Sequence, residues 1–108
     1  MEVLLDTNII LEHFRSGYLE EVDPRISFYI SVISEAELLR FPGLTKHEII
    51  AIESFLGIAT SIPIDSAIAR RAALLGRTRK TKLPDLLIAA TALEIGLPLV
   101  TRNSRDFR

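Results

Sequence analysis

Four short apolar runs, separated by helical stretches and never joined by a hairpin turn, constrain this chain more than any other feature. They are Glu2–Asp6, Phe28–Ile33, Ile58–Ile64 and Leu97–Thr101. Each has the length and residue types of a buried strand, although Pro63 weakens the third. The intervening segments carry helix punctuation. Ile9, Ile10 and Phe14 fit a short helix that Ser16-Gly17 stops, and Ser34-Glu35-Ala36-Glu37 has the form of a capping box for a helix ending near Pro42-Gly43. Thr45-Lys46-His47-Glu48 repeats that form and opens a helix to Gly57. Asp65 caps a helix through Leu75, and Pro84 starts one that Gly96 ends. The order β-α-β-α-α-β-α-α-β, with no Asn-Gly type turn, predicts a parallel α/β sheet of about four strands. In such a sheet ligands bind at the carboxyl ends of the strands.

Four acids fall at that edge. Asp6 closes the first strand, and Asp106 follows the last. Glu37 and Asp85 are expected in the first turns of helices facing the same way. Singly, each has a structural explanation: Asp6 as an N-cap, Glu37 as the N3 partner of Ser34, Asp85 as a charge favoured by its helix dipole, Asp106 as a solvated end residue. Their shared location is what caps alone do not explain. Clustered carboxylates repel and resist desolvation, so they need a counter-charge, and a hard divalent cation such as Mg²⁺ or Mn²⁺ is the usual one. Two such ions, about 3.5–4 Å apart, would activate a water and stabilise the leaving oxygen of a phosphodiester.

Composition narrows the chemistry further. The 108 residues, 48% of them hydrophobic, suffice for a single domain with one core and some surface for a partner. With no cysteine, thiolate metal sites, disulfides and cysteine nucleophiles are excluded, and His13 and His47 lack companions at metal-binding spacing. No P-loop, GxGxxG or Ser/His/Asp arrangement is present. Glu2 and Asp6 stand where a signal peptide would be basic, and no apolar run is long enough to span a bilayer, so a cytoplasmic location with no membrane partner is expected.

The net charge of −1 conceals a strong asymmetry. Residues 1–66 hold eleven acids against four Lys and Arg, a net of −7, whereas residues 67–108 hold nine Lys and Arg against three acids, a net of +6. Arg70, Arg71, Arg77, Arg79, Lys80 and Lys82 lead directly into Asp85. A solvated helix face can be basic by chance, but cations beside a carboxylate cluster are what gripping a phosphate backbone requires. Arg77, Arg79, Lys80, Lys82 and Arg102 are therefore candidate substrate contacts. Thr7 and Asn8 can hydrogen-bond a carboxylate or a coordinated water, and Asn103 can offer its amide oxygen to a hard cation.

Val3-Leu4-Leu5-Asp6-Thr7-Asn8, Ile33-Ser34-Glu35-Ala36-Glu37-Leu38, Pro84-Asp85-Leu86-Leu87-Ile88-Ala89-Ala90 and Val100-Thr101-Arg102-Asn103-Ser104-Arg105-Asp106-Phe107 together resemble a PIN domain, in particular VapC-type toxins of prokaryotic toxin–antitoxin pairs. Each block alone is weak, but the ordered set covers nearly the whole chain. The resemblance implies a three-layer α/β/α fold, residues 1–108 forming one PIN domain, and a Mg²⁺- or Mn²⁺-dependent endoribonuclease. Asp6, Glu37 and Asp85 match the family's metal-binding acids. The family's fourth position, an acid or an amide, corresponds here either to Asn103 or to Asp106, with Asp106 the acid of the two and Asn103 its helper. An antitoxin covering the acidic pocket and a homodimer or higher assembly are implied as well. Related sequences continue into a further edge strand, so the domain is expected to be short at its C-terminus.

Two other readings compete with this one. A non-catalytic PIN-like module binding protein or RNA would keep the fold without turnover, although all three main acids are present. A phosphoacceptor receiver domain needs adjacent acids after its first strand and a lysine directly after a later one, and this chain has neither.

Overall fold

Val3, Leu4 and Leu5 are each buried, with successive side chains directed to opposite faces of the first strand. Val3 and Leu5 join a core cluster with Ile9, Ile10, Ile30, Leu38 and Phe55, whereas Leu4 packs with Ile88 and Ala92. A strand apolar on both faces belongs in the middle of a covered sheet. The structure, a computed structural model, describes residues 1–101.

Its elements are β1 (Glu2–Leu5), α1 (Thr7–Ser16), a 3₁₀ turn (Tyr18–Glu21), β2 (Ser27–Ser31), α2 (Val32–Leu39), α3 (Lys46–Ile58), β3 (Thr60–Ile62), α4 (Ser66–Gly76), α5 (Leu83–Ile95) and β4 (Leu99–Val100). The strands lie in the order β3-β2-β1-β4, and every pairing is parallel. Helices α1, α2 and α3 supply the cluster on one face. Ile68 and Ala72 of α4 pack with Leu86 and Ala90 of α5 on the other. The predicted α/β/α layering and element order are those observed. Among the described residues no helix is long and apolar enough to cross a membrane.

Local signals placed several boundaries well. Thr45 and Glu48 form the reciprocal capping box of α3, and Asp65 caps α4 through the Ile68 N–H at 2.8 Å. Gly17 and Gly96 end α1 and α5 at φ 72°, in the left-handed region where a Cβ would be strained.

Other boundaries differ from expectation. The capping box predicted at Ser34–Glu37 does not form. Ser31 is the N-cap of α2, accepting the Ile33 N–H, so β2 ends at Ser31 and Val32 and Ile33 begin the helix. Their β-branched side chains suit a strand, but Ile33 gains packing against the Leu4–Ile88 cluster from its helical position. Glu37 consequently sits in the second turn of α2, not the first. That helix stops at Leu39, before Pro42-Gly43. The third strand is only Thr60–Ile62, because Ile58 completes α3 and Pro63 lacks a donor. The fourth shrinks to Leu99–Val100, and α5 begins one residue before Pro84.

Candidate active site

Strand β1 lies between β2 and β4 in a sheet whose chain runs outward through β2 and β3, then crosses back to β4. The reversal opens a crevice between the carboxyl ends of β1 and β4. Asp6 leaves β1 at this point. Its N–H donates to the Val100 carbonyl at 3.0 Å, which holds the two strand ends together. The Asp6 side chain is largely buried. Oδ1 caps α1 by accepting the Ile9 N–H at 2.9 Å, and Oδ2 accepts the Thr101 hydroxyl. The cap and the site residue are thus one carboxylate.

Glu37 arrives from α2 and is fixed by α1. Thr7 Oγ1 donates to Glu37 Oε1 at 2.7 Å and lies 2.9 Å from Ser34 Oγ. A hydroxyl has one proton, and that of Thr7 serves Glu37, so Ser34 must be the donor to Thr7. Ser34 is fully buried. The hydroxyl predicted to cap a helix instead starts a directed chain from Ser34 to Thr7 to Glu37.

Asp85 is the third residue of α5, exposed at the rim. Partial burial of its carboxyl raises its pKa, the charges of Glu37 and Asp6 push it the same way, and Lys82 opposes them. The three acids therefore feel one another. With Thr7, Asn8, Leu11, Arg40 and Phe41 they line a cavity of about 210 Å³. Among the described residues none of the three forms an ion pair. Nor is any group of three acids or histidines there drawn close enough to hold one ion. The donor set, all hard oxygen, fits Mg²⁺ or Mn²⁺ in chemistry.

The basic residues divide. Lys82 is the N-cap residue of α5 and acts on Asp85 through its charge. Arg77, Arg79 and Lys80 are exposed on the α4–α5 linker and do not line the acidic cavity; Arg79 borders a separate groove with Leu75, Leu86 and Leu99. Arg102, Asn103 and Asp106 lie outside the described residues. Arg40 was missed from sequence. It stands three residues after Glu37, one turn along the same helix face, and that spacing was the available signal.

An acid-lined crevice at the topological switch point of a parallel α/β/α sheet marks a ligand site of the kind open α/β folds carry. The PIN domain family model matches residues 3–108. The chain is 33% identical to a chain of a toxin–antitoxin complex from Klebsiella pneumoniae, with TM-score 0.78, covering 97% of this chain and 89% of that one. VapBC-1 from nontypeable Haemophilus influenzae is 26% identical with TM-score 0.81, covering 99% and 90%. VapBC-5 from Mycobacterium tuberculosis is 26% identical with TM-score 0.67, covering 94% and 85%. No curated protein matches. The chain belongs to the PIN domain family, and these neighbours put it with the VapC type.

Proposed function

We propose that this PIN domain is a Mg²⁺- or Mn²⁺-dependent endoribonuclease and the toxin of a toxin–antitoxin pair. The observation that carries the reading is the convergence of Asp6, Glu37 and Asp85 on one cavity, with no ion pair to any of them among the described residues. Membership of the PIN family and likeness to toxin–antitoxin complexes support nuclease chemistry and a protein inhibitor.

Asp6, Glu37 and Asp85 would hold the metal, with Asp106 and Asn103 completing the set. When bound, the ion supplies charge for the phosphate and a more acidic water. Asp6 is held by its cap and by Thr101, so its carboxylate cannot swing away as substrate enters. Thr7 holds Oε1 of Glu37, which lines the cavity, and leaves Oε2 to act as a ligand. Arg40 lines the same space and is the cation best placed for a phosphate oxygen. Lys82 at the rim, the linker cations Arg77, Arg79 and Lys80, and Arg102 would track the backbone further out.

The helices leave apolar side chains in water, including Ile50 at 63% and Ile58 at 76% exposure on α3 and Leu83 at 61% on α5. Such exposure supports an antitoxin and a second copy of the chain as partners. The test is cleavage of mixed RNA with added Mg²⁺ or Mn²⁺ by the parent, Asp6→Asn and Asp85→Asn. Asparagine keeps the helix cap at position 6, so loss of cleavage there reports on charge rather than folding. Cleavage at the parental rate by both variants would refute the metal-site assignment.

A further inference from the structure

The acidic cavity has an apolar neighbour. Its walls at Leu11 and Phe41 are shared with a second chamber of about 480 Å³, formed where α1, α2 and the start of α3 meet. Phe14, Leu38, Pro42, Leu44 and Ile52 make this chamber apolar. Phe41 stands at the junction and is 45% exposed. Leaving that much of an aromatic ring in water forgoes burial that the adjoining core offers. Two polar side chains reach the chamber, Glu48 and His47. Glu48 is committed to the capping box with Thr45, which leaves the His47 imidazole to meet a ligand.

We propose that this chamber receives the unpaired nucleobase next to the scissile phosphate, with Phe41 as its stacking platform and His47 at its polar edge. The proposal rests on the ribonuclease reading and specifies how that site selects its substrate. A nucleotide joins an anionic phosphate to a flat, largely apolar ring. The two adjacent spaces offer the matching pair of environments: carboxylates and Arg40 line one, hydrocarbon the other, and Phe41 borders both. A base paired and stacked within a duplex has its faces covered and cannot lie on Phe41, so single-stranded or looped RNA is the form that fits. Stacking on an aromatic side chain tolerates every base, and a single imidazole adds only a mild preference. Phe41 is thus a substrate-binding residue that sets the strandedness of the target more than its sequence.

The experiment uses RNAs carrying one abasic nucleotide at successive positions around a mapped cleavage site, cut by the parent, Phe41→Ala and Phe41→Trp. One abasic position should lower kcat/KM roughly tenfold or more, Phe41→Ala should do the same on intact RNA, and the two losses should not multiply. Phe41→Trp should retain activity, which separates stacking from packing. Parental cleavage by Phe41→Ala, or losses that multiply, would overturn the proposal while leaving the nuclease reading intact. If Phe41→Ala cleaves normally but no longer retains a co-expressed protein inhibitor, the chamber is a protein-docking site and the proposal fails. A binding arm works without turnover: 2-aminopurine RNA added to Asp85→Asn should lose fluorescence on stacking, and the double variant with Phe41→Ala should not show this. If the parent cuts no RNA, the nuclease reading fails, and this quenching alone decides whether the chamber takes a base.

Discussion

Thr7 donates its only hydroxyl proton to Glu37 across 2.7 Å, from the first turn of α1 to the second turn of α2. Ser34 enforces that direction from a fully buried position one turn before Glu37. A single glutamate is therefore aimed by two helices at once, and its orientation depends on a hydroxyl thirty residues away in sequence.

Removing that hydroxyl without changing side-chain shape tests the arrangement. Thr7→Val should weaken Mn²⁺ binding and lower kcat/KM roughly ten- to a hundredfold, the scale expected when a catalytic group loses its alignment. Thr7→Ser should keep most of both. Equal impairment of the two variants would mean that the Thr7 methyl group matters and the hydrogen bond does not.

Ser34 also shows where sequence reasoning succeeds and where it stops. Thr45, Asp65, Gly17 and Gly96 were legible because each acts on backbone within four residues of itself. Ser34 carries the same local signature, yet its hydroxyl is taken by a partner 27 residues away. Ser31, without a glutamate three residues later, became the cap instead. The acids were legible because topology fixes the edge at which Asp6 and Asp85 emerge. Arg40 was not, because its place in the cavity depends on where α2 ends, and that end was expected later.

The cost of gathering three carboxylates should appear as a stability gain when one is neutralised. Asp85 has a raised pKa in the folded state, so the fold binds its proton more readily than the unfolded chain does. Stability of the metal-free protein from this group is therefore greatest at low pH and falls as pH rises through the raised pKa. Above that raised pKa both states are ionised and the folded state bears the whole repulsion. Asp85→Asn should melt higher than the parent in EDTA at pH 7, with the difference shrinking toward the ordinary carboxylate range. Because Asp85 is exposed, the gain should be small. Added Mn²⁺ should reverse the order by raising the melting temperature of the parent alone. A lower melting temperature for the variant in EDTA would contradict the repulsion argument.

Helix α3 forms one wall of the apolar chamber and is anchored at its start by Thr45 and Glu48. Thr45→Ala removes the acceptor for the Glu48 N–H and should cost about 1 kcal/mol, read from urea unfolding. Glu48→Gln keeps a group able to accept from the Thr45 N–H and should cost less. If the chamber binds substrate, Thr45→Ala should also raise KM, since the wall carrying His47 starts at that cap. An unchanged KM would confine the capping box to stability.

Arg40 separates a cation inside the site from those around it. It lines the cavity with Asp6, Glu37 and Asp85, whereas Arg77 and Lys80 lie on the exposed linker. A phosphate held between the metal and a guanidinium should bind Arg40 at short range, where salt screens it less than it screens a linker charge. Arg40→Ala should therefore raise KM several-fold at all salt concentrations, and Arg40→Lys should recover only part of the loss, because a point charge cannot reproduce the planar fork. Arg77→Ala and Lys80→Ala should weaken RNA binding at low salt and have little effect at 0.5 M, each reducing the salt slope by roughly 0.7, the value for one phosphate contact on a single strand. Equal salt sensitivity in all three alanine variants would place Arg40 with the outer cations and remove it from the site.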